Sequence, residues 1–313
     1  MTKFNKRAYG AAIIKSINSN YNADFTHQPR TLPDGRVYAT DKALKYLVRN
    51  YLIHETEEKI FYYKTFKEDT LNPKSLDETY EKHFGAIPKG EGSGAAKEAS
   101  KKKEMLSKIL TSLDVRLFGG TYAGSTNLSM HGPVQITHGI NQFVRGEIFS
   151  EQIMSPFRNS AEGKEDSAMT TLGTQSKLRE GHYVHSISVN PKNLETLTTL
   201  SGTDNHLSNA DIDKLKLGLR YGATYYNSAA KAGTDNELLL WVELKEGSKL
   251  VLPSFVELVK VLDTDKREID LGGVQKLLAQ DHLKGEIEKV EIYYNKAIST
   301  IINKPEGAIE LDL

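Results

Sequence analysis

The run RAYGAAIIKSI, Arg7 to Ile17, is nearly continuous in apolar residues and is followed at once by turn formers. That is the pattern of a buried strand. After a polar loop comes TDKALKYLVRNYL, which reads as a helix. Thr40 is placed to cap it, and Asp41 suits the positive end of its dipole. Leu44, Leu47, Val48, Tyr51 and Leu52 recur at helical spacing and form one apolar face. Lys42, Lys45 and Arg49 lie at i, i+3 and i+7, a basic stripe flanking that face. A helix packed on a sheet by its apolar side holds these cations near the rim of the sheet. Such a stripe is either a solvated face or a binding surface.

The loop between strand and helix contains Asn18-Ser19-Asn20, Asp24, Gln28-Pro29-Arg30 and Asp34-Gly35-Arg36. The order strand, Asn-x-Asn, Pro-Arg, Thr-Asp, Leu-Lys-x-x-x-Arg resembles the repeated backbone subunit of type I CRISPR effector complexes (Cascade), most like subtype I-B. The resemblance implies that this segment opens an RRM-like palm that holds the guide RNA. Asn18, Asn20, Arg30, Lys42, Lys45 and Arg49 are then the expected RNA contacts. Where the family often has Asn-x-Asn-Gly-Asp-Pro, this chain has Asn18-Ser19-Asn20-Tyr21-Asn22-Ala23-Asp24, so the path of the loop differs.

A chain of 313 residues, 38% hydrophobic and 26% charged, has enough apolar residues for a substantial core and reads as a soluble folded protein. No apolar run is long enough to span a bilayer, and MTKFNKRAYG lacks the apolar core of a signal peptide. The expectation is a cytoplasmic protein without membrane contact. The absence of cysteine excludes disulfides and thiolate metal sites. Net charge is zero, but its distribution is uneven. Residues 1–66 carry 11 Lys and Arg against 6 Asp and Glu, whereas residues 234–313 carry 10 against 16. The N-terminal part is the better phosphate binder. The acidic part is either ordinary surface or a match for the basic part of a neighbouring copy.

KIFYYKTF, Lys59 to Phe66, is rich in β formers and reads as a strand. Residues 67–94 are polar and end in PKGEGSG, a flexible composition. A helix is expected from Ala95 to about Leu113, with Lys101-Lys102-Lys103 near its start. Asp114-Val115-Arg116-Leu117-Phe118-Gly119 and Gly132-Pro133-Val134-Gln135 form a second element that resembles the same family. Read from the residues, it is a helix ending at glycine, a polar turn and a strand. Arg116 is placed either to cap a helix or to bind phosphate.

Residues 144–180 look like a projecting insertion with small apolar clusters around Met154 and Phe157. The resemblance makes this a β-hairpin thumb that folds over the guide and parts its bases, with Met154 and Phe157 as wedges, and it carries Lys177 of Gly173-Thr174-Gln175-Ser176-Lys177 over as an RNA-binding residue. The residues alone allow a second reading, in which the clusters are the insertion's own small core. YVHSISVNP from Tyr183, a helix over Asp211 to Tyr221 and the strand LLLWVEL from Leu238 complete a palm. The loop before that last strand supplies Ser228 and Lys231, which the resemblance sets near RNA. The tail beyond 249 reads as a further helix-and-strand layer.

The fold expected is therefore α+β. It is an RRM-like (ferredoxin-like) palm of residues 1–66 and 181–313 with a C-terminal layer. A finger or web insertion spans 67–143 and the thumb 144–180. Nine histidines show no metal-ligand spacing, and His182 and His185 fall on opposite faces of a strand. No P-loop, His-Glu-x-x-His or Gly-x-Ser-x-Gly is present. The aromatic signature with which RRM sheets stack bases is also missing. No cofactor, metal or catalytic residue is implied. The expected partners are guide RNA (crRNA), the target DNA strand, further copies of the chain and other subunits of the complex. Two other readings stand beside this one: a ribonuclease like the type III backbone subunits, using Asp24, and a stand-alone RNA-binding protein.

Overall fold

The computed structural model describes residues 2–143, 146–154 and 172–313. β1 (Ala8–Ser19) is buried at both parities over most of its length, as its apolar run requires. The loop after it is pinched by bridges between Ala23 and Pro29 and between Thr31 and Val37. It leads through β2 (Tyr38–Ala39) into α1 (Asp41–Glu55). Thr40 caps the helix, its hydroxyl accepting from the Ala43 N–H at 3.3 Å. Leu44, Leu47, Val48 and Leu52 are the buried apolar face.

The segment 59–66 is not a strand, against its β propensity. The reason is a buried carboxylate: Asp114 accepts the backbone N–H groups of Phe61 and Tyr62 at 2.8 and 2.9 Å. Those donors are thereby withdrawn from any ladder. The polar stretch beyond it contains α2 (Leu76–Phe84), an element its composition did not announce. A reciprocal capping box between Ser75 and Glu78 starts this helix. The next expected helix is α3 (Gly94–Ile109), which stops a turn short of Leu113, and the helix expected to end at glycine is α4 (Leu113–Phe118). α4 stops at Gly119, whose φ of 67° suits glycine. A hairpin, β3 (Gly119–Ala123) and β4 (Asn127–His131), stands where a polar turn was expected. Phe61, Tyr80, Met105, Ile109, Leu110 and Tyr122 give this region its own apolar core.

β5 (Val134–Ile136) and β6 (Gly139–Asn141) follow, then β7 (Ile148–Met154) and the long β8 (Leu172–Val189). α5 (Glu195–Ser201), α6 (Asn209–Tyr225) and β9 (Thr234–Leu244) come next. The last part comprises β10 (Lys260–Val261), β11 (Ile269–Asp270), α7 (Gly272–Leu278), α8 (Asp281–Lys284), β12 (Ile287–Tyr294), β13 (Ile301–Ile302) and β14 (Ile309–Asp312). Among the described residues the main sheet runs β14-β12-β9-β1-β8-β6-β2, with β5 and β7 also on β8. β1 is antiparallel to both β8 and β9. Gly10 permits the close β1–β9 approach, since a Cβ there would lie 2.3 Å from the Leu240 carbonyl oxygen.

Both faces of the sheet are covered. Ala8, Ala12 and Ile14 face α1 and α6, with Tyr183, Ile187, Leu239 and Trp241. Tyr9, Ala11 and Ile13 face the C-terminal layer, packed with Phe255, Val259, Leu271 and Val274. Several acidic residues of the C-terminal part are spent internally. Lys216 pairs with Glu291 at 2.6 Å and Glu243 at 3.6 Å, and Lys289 also reaches Glu243 at 3.3 Å.

Candidate nucleic-acid interface

At the end of β1 the backbone turns sharply, with Asn18 exposed and in the left-handed region at φ 47°. Asparagine tolerates that region better than most side chains. Asn20 turns inward and is only 3% exposed. Its N–H donates to the Ala230 carbonyl at 2.7 Å, and its Nδ2 to the carbonyls of Ser176 at 3.1 Å and His27 at 3.3 Å. One residue therefore joins the loop after β1, the loop before β9 and the root of the β7–β8 hairpin. Asn20 Oδ1 is buried without a partner among the described residues.

Lys231 sits on this junction. Its Nζ donates to the Tyr21 carbonyl and lies 5.8 Å from the Tyr21 ring centre. Burial lowers its pKa to about 8, because desolvation disfavours the ammonium. The Ser228 carbonyl accepts the N–H groups of Lys231 and Ala232 at 2.9 and 2.8 Å, so Ser228 shapes the turn that presents the lysine. Lys177 follows Ser176 on β8 and pairs with Glu151 across the hairpin at 3.1 Å. The structure thus brings Asn18, Asn20, Lys177, Ser228 and Lys231 together from three distant stretches of chain.

Asn22 carries the junction towards α1, its Oδ1 accepting from the Thr40 N–H and hydroxyl at 2.9 and 3.0 Å. Arg30 holds Tyr38 through its backbone carbonyl at 2.9 Å, while its Nε is buried without a partner among the described residues. Asp24 Oδ1 accepts from the Thr26 N–H and hydroxyl, both at 2.8 Å, and from the Gln28 N–H at 3.0 Å. The Thr26 hydroxyl bond is the main cause of its lowered pKa. These bonds make Asp24 the residue that holds a tight turn.

The basic stripe divides. Lys42 is exposed. Lys45 pairs with Asp41 at 3.1 Å and lies 5.5 Å from the Phe118 ring centre. Arg49 pairs with the buried Asp114 at 2.9 Å and stacks near Phe118 at 5.2 Å. Arg116 is occupied internally. It forms a fork on Asp211 at 2.8 and 3.1 Å, and its Nη1 donates to the carbonyls of Thr111 at 2.7 Å and Leu110 at 3.3 Å. Of its two readings the capping one describes the geometry, and its guanidinium faces the end of α3 rather than solvent. Met154 lies on β7 and is 62% exposed, while Phe157 lies outside the described residues.

Two features escaped sequence reasoning. The Ser176 carbonyl is a contact that no residue type announces. Phe25, at the tip of the Asp24 turn, is 97% exposed and lies 6.0 Å from the Arg30 guanidinium. An apolar residue inside a turn-forming run was the available signal. His182 and His185 do point to opposite faces: His182 meets Glu237 at 2.5 Å, and His185 meets Tyr21 at 3.1 Å. Among the described residues no group of three His, Asp or Glu side chains could hold a metal, and no helix is long and apolar enough to cross a membrane.

The chain is similar in fold to two solved chains from CRISPR complexes. One, from a "CRISPR RNA-guided surveillance complex, pre-nicking", superimposes with a TM-score of 0.52 at 12% identity, covering 95% of this chain and 96% of that one. The other, from a "CRISPR RNA-guided surveillance complex", gives 0.51 at 14% identity, covering 95% of each chain. No curated protein sequence matches significantly. The family model for "CRISPR-associated protein Cas7" matches residues 6–273, most of the sequence. The chain belongs to the CRISPR-associated protein Cas7 family.

Proposed function

We propose that this Cas7-family chain is a guide-RNA-binding backbone subunit of a type I CRISPR surveillance complex, of subtype I-B. It polymerises along the crRNA and supports recognition of the target DNA strand together with the other subunits, in the cytoplasm. The observation that carries this reading is the junction at Asn20. There the loop after β1, the loop before β9 and the root of the β7–β8 hairpin meet around Lys231. An elongated phosphate backbone crossing the end of the sheet would meet all three at once.

In this reading β9-β1-β8-β6 with α1 and α6 is the RRM-like palm. The strand order is that of a ferredoxin-like sheet, with β5 and β6 in the place expected for residues 59–66. The region around α2 to β4 is the finger or web, and the β7–β8 hairpin is the thumb. The C-terminal layer buries the sheet face on which RRM domains ordinarily stack bases, which favours recognition through the RNA backbone. Asn18, Asn20, Arg30, Lys42, Lys177, Ser228 and Lys231 are the proposed RNA contacts, with Met154 and Phe157 as wedges from the thumb. Lys45 and Arg49 contribute positive potential at the rim while bound to Asp41 and Asp114. Arg116 supports α3, α4 and α6 from within.

The subunit is non-enzymatic. Asp24 accepts three hydrogen bonds on one oxygen within its own turn, the pattern of a structural residue. Incubating the protein with labelled single-stranded RNA and Mg²⁺ or Mn²⁺ tests this, followed by nuclease footprinting. Intact RNA with regularly spaced protection is expected. Cleavage abolished by Asp24→Ala would replace the reading with a ribonuclease.

A further inference from the structure

Phe25 is a large apolar side chain held almost wholly in solvent by a turn that is not free to collapse. Its exposure is 97%. The turn is closed by Asp24 N–H to the Gln28 carbonyl at 2.8 Å and His27 N–H to the Asp24 carbonyl at 3.2 Å. The Asp24 carboxylate adds its three bonds to Thr26 and Gln28, and His27 adopts a left-handed φ of 65°. The turn is anchored to the hairpin root through Asn20, which donates to both His27 and Ser176. Such rigidity fixes the backbone that carries the ring, so covering it costs side-chain ordering alone.

The surroundings say what covers it. Between Asn20 and Val37, Phe25 is the one large apolar side chain that is exposed among the described residues. Its neighbours are Thr26, His27 and Gln28, and the Arg30 guanidinium lies 6.0 Å from the ring. A protein hot spot is normally set in a well-packed apolar pocket with a ring of contacts that excludes water. A lone ring amid donors, with an arginine at its side, suits a nucleotide, which offers a flat base to stack and a phosphate for the cation. Two buried polar atoms beside the turn, Asn20 Oδ1 and Arg30 Nε, have no partner among the described residues.

We propose that Phe25 is the stacking platform for one nucleobase of the bound single strand, with Arg30 taking that nucleotide's phosphate. The inference rests on the RNA-binding reading above. It adds a base contact on the palm side of the hairpin, separate from any wedge at the hairpin's end.

A double-mutant cycle tests it, using single-stranded RNA just long enough for one copy and carrying an abasic nucleotide at each position in turn. Phe25→Ala is expected to weaken binding of intact RNA about tenfold, the range for loss of one base–aromatic stack. That loss should vanish when the abasic site occupies one particular position. Phe25→Trp should bind like the unmodified protein, and Phe25→Leu like the alanine variant. The salt dependence should not change, because no phosphate contact is lost with the ring. Because the side chain is exposed, none of these variants should perturb folding. Unchanged affinity in Phe25→Ala, or an equal loss at every abasic position, overturns the proposal. So does a change in self-association without RNA, which would make Phe25 a protein contact. If the unmodified protein binds no RNA, the functional reading fails as well; if it binds and the cycle shows no coupling, this inference alone fails.

Discussion

Asn20 Nδ2 donates to the backbone carbonyl of Ser176 across 3.1 Å, fastening the loop after β1 to the root of the β7–β8 hairpin. Both groups are buried, so the bond cannot be replaced by water when the asparagine is removed. Asn20→Ala is expected to destabilise the fold by about 1–3 kcal/mol, the cost of stranding buried polar groups. It should also weaken RNA binding by loosening the junction. Urea unfolding and a binding titration on the same sample check both.

Lys231 should make RNA binding sensitive to pH on the alkaline side. Burial lowers its pKa from 10.5 to about 8, so the free protein loses this charge as pH rises through 8. A phosphate beside it favours the protonated form, so binding takes up a proton in that range. Affinity should be level below about pH 7 and fall above it, by at most about tenfold per pH unit for one linked proton. Lys231→Arg, always charged, should flatten the profile. An identical alkaline fall in the arginine variant would remove Lys231 from the site.

Cations that share a sequence neighbourhood should respond differently to mutation. Arg116 and Asp211 form a buried fork, with side chains 10% and 2% exposed. Removing one partner strands the other charge, so Arg116→Met should cost about 3–5 kcal/mol in denaturant unfolding. Arg49→Met should behave similarly through Asp114, whose side chain is fully buried. Lys42→Ala should leave stability unchanged and reduce the log–log salt slope of RNA binding by about 0.7 for one phosphate contact. A large loss of stability in Lys42→Ala, or none in Arg116→Met, would reverse these assignments.

His185 should make the fold acid-sensitive. Its Nδ1 donates to the Thr137 carbonyl at 2.9 Å, so Nε2 is the bare nitrogen and accepts from the Tyr21 hydroxyl at 3.1 Å. Burial lowers its pKa from 6.5 to about 4. Between those values the unfolded chain binds the proton and the folded one does not, so stability rises with pH across the window. His185's contribution is complete above about pH 6.5 and lost by about pH 4. His185→Gln should be less stable at pH 7 but lose less on acidification, as urea midpoints across that range would show.

Much of the scaffold could be read from local pattern. β1, α1 with its Thr40 cap, α6 and β9 follow from apolar runs, helical spacing and cap residues that act within a few positions. The Ser75-x-x-Glu78 box that starts α2 was also present, but the polar composition around it hid the helix. Residues 59–66 could not be read correctly, because Asp114, more than fifty positions away, decides where their N–H groups go. The same distance hid the partners of Arg49 and Arg116, which sequence can show only as unpaired cations. The family motifs pointed to Asn20 and Lys231, but the bonds that tie Asn20 to Ser176 and Lys231 to Tyr21 are a property of the folded sheet.

The central claim is assembly along RNA, and a heterologous head-to-tail contact propagates where a closed dimer cannot. The direct measurement is light-scattering mass of the purified protein mixed with single-stranded RNAs of increasing length. The account predicts lower-order species without RNA and a protein mass that climbs in regular steps with RNA length. A closed oligomer whose mass ignores RNA length would contradict it.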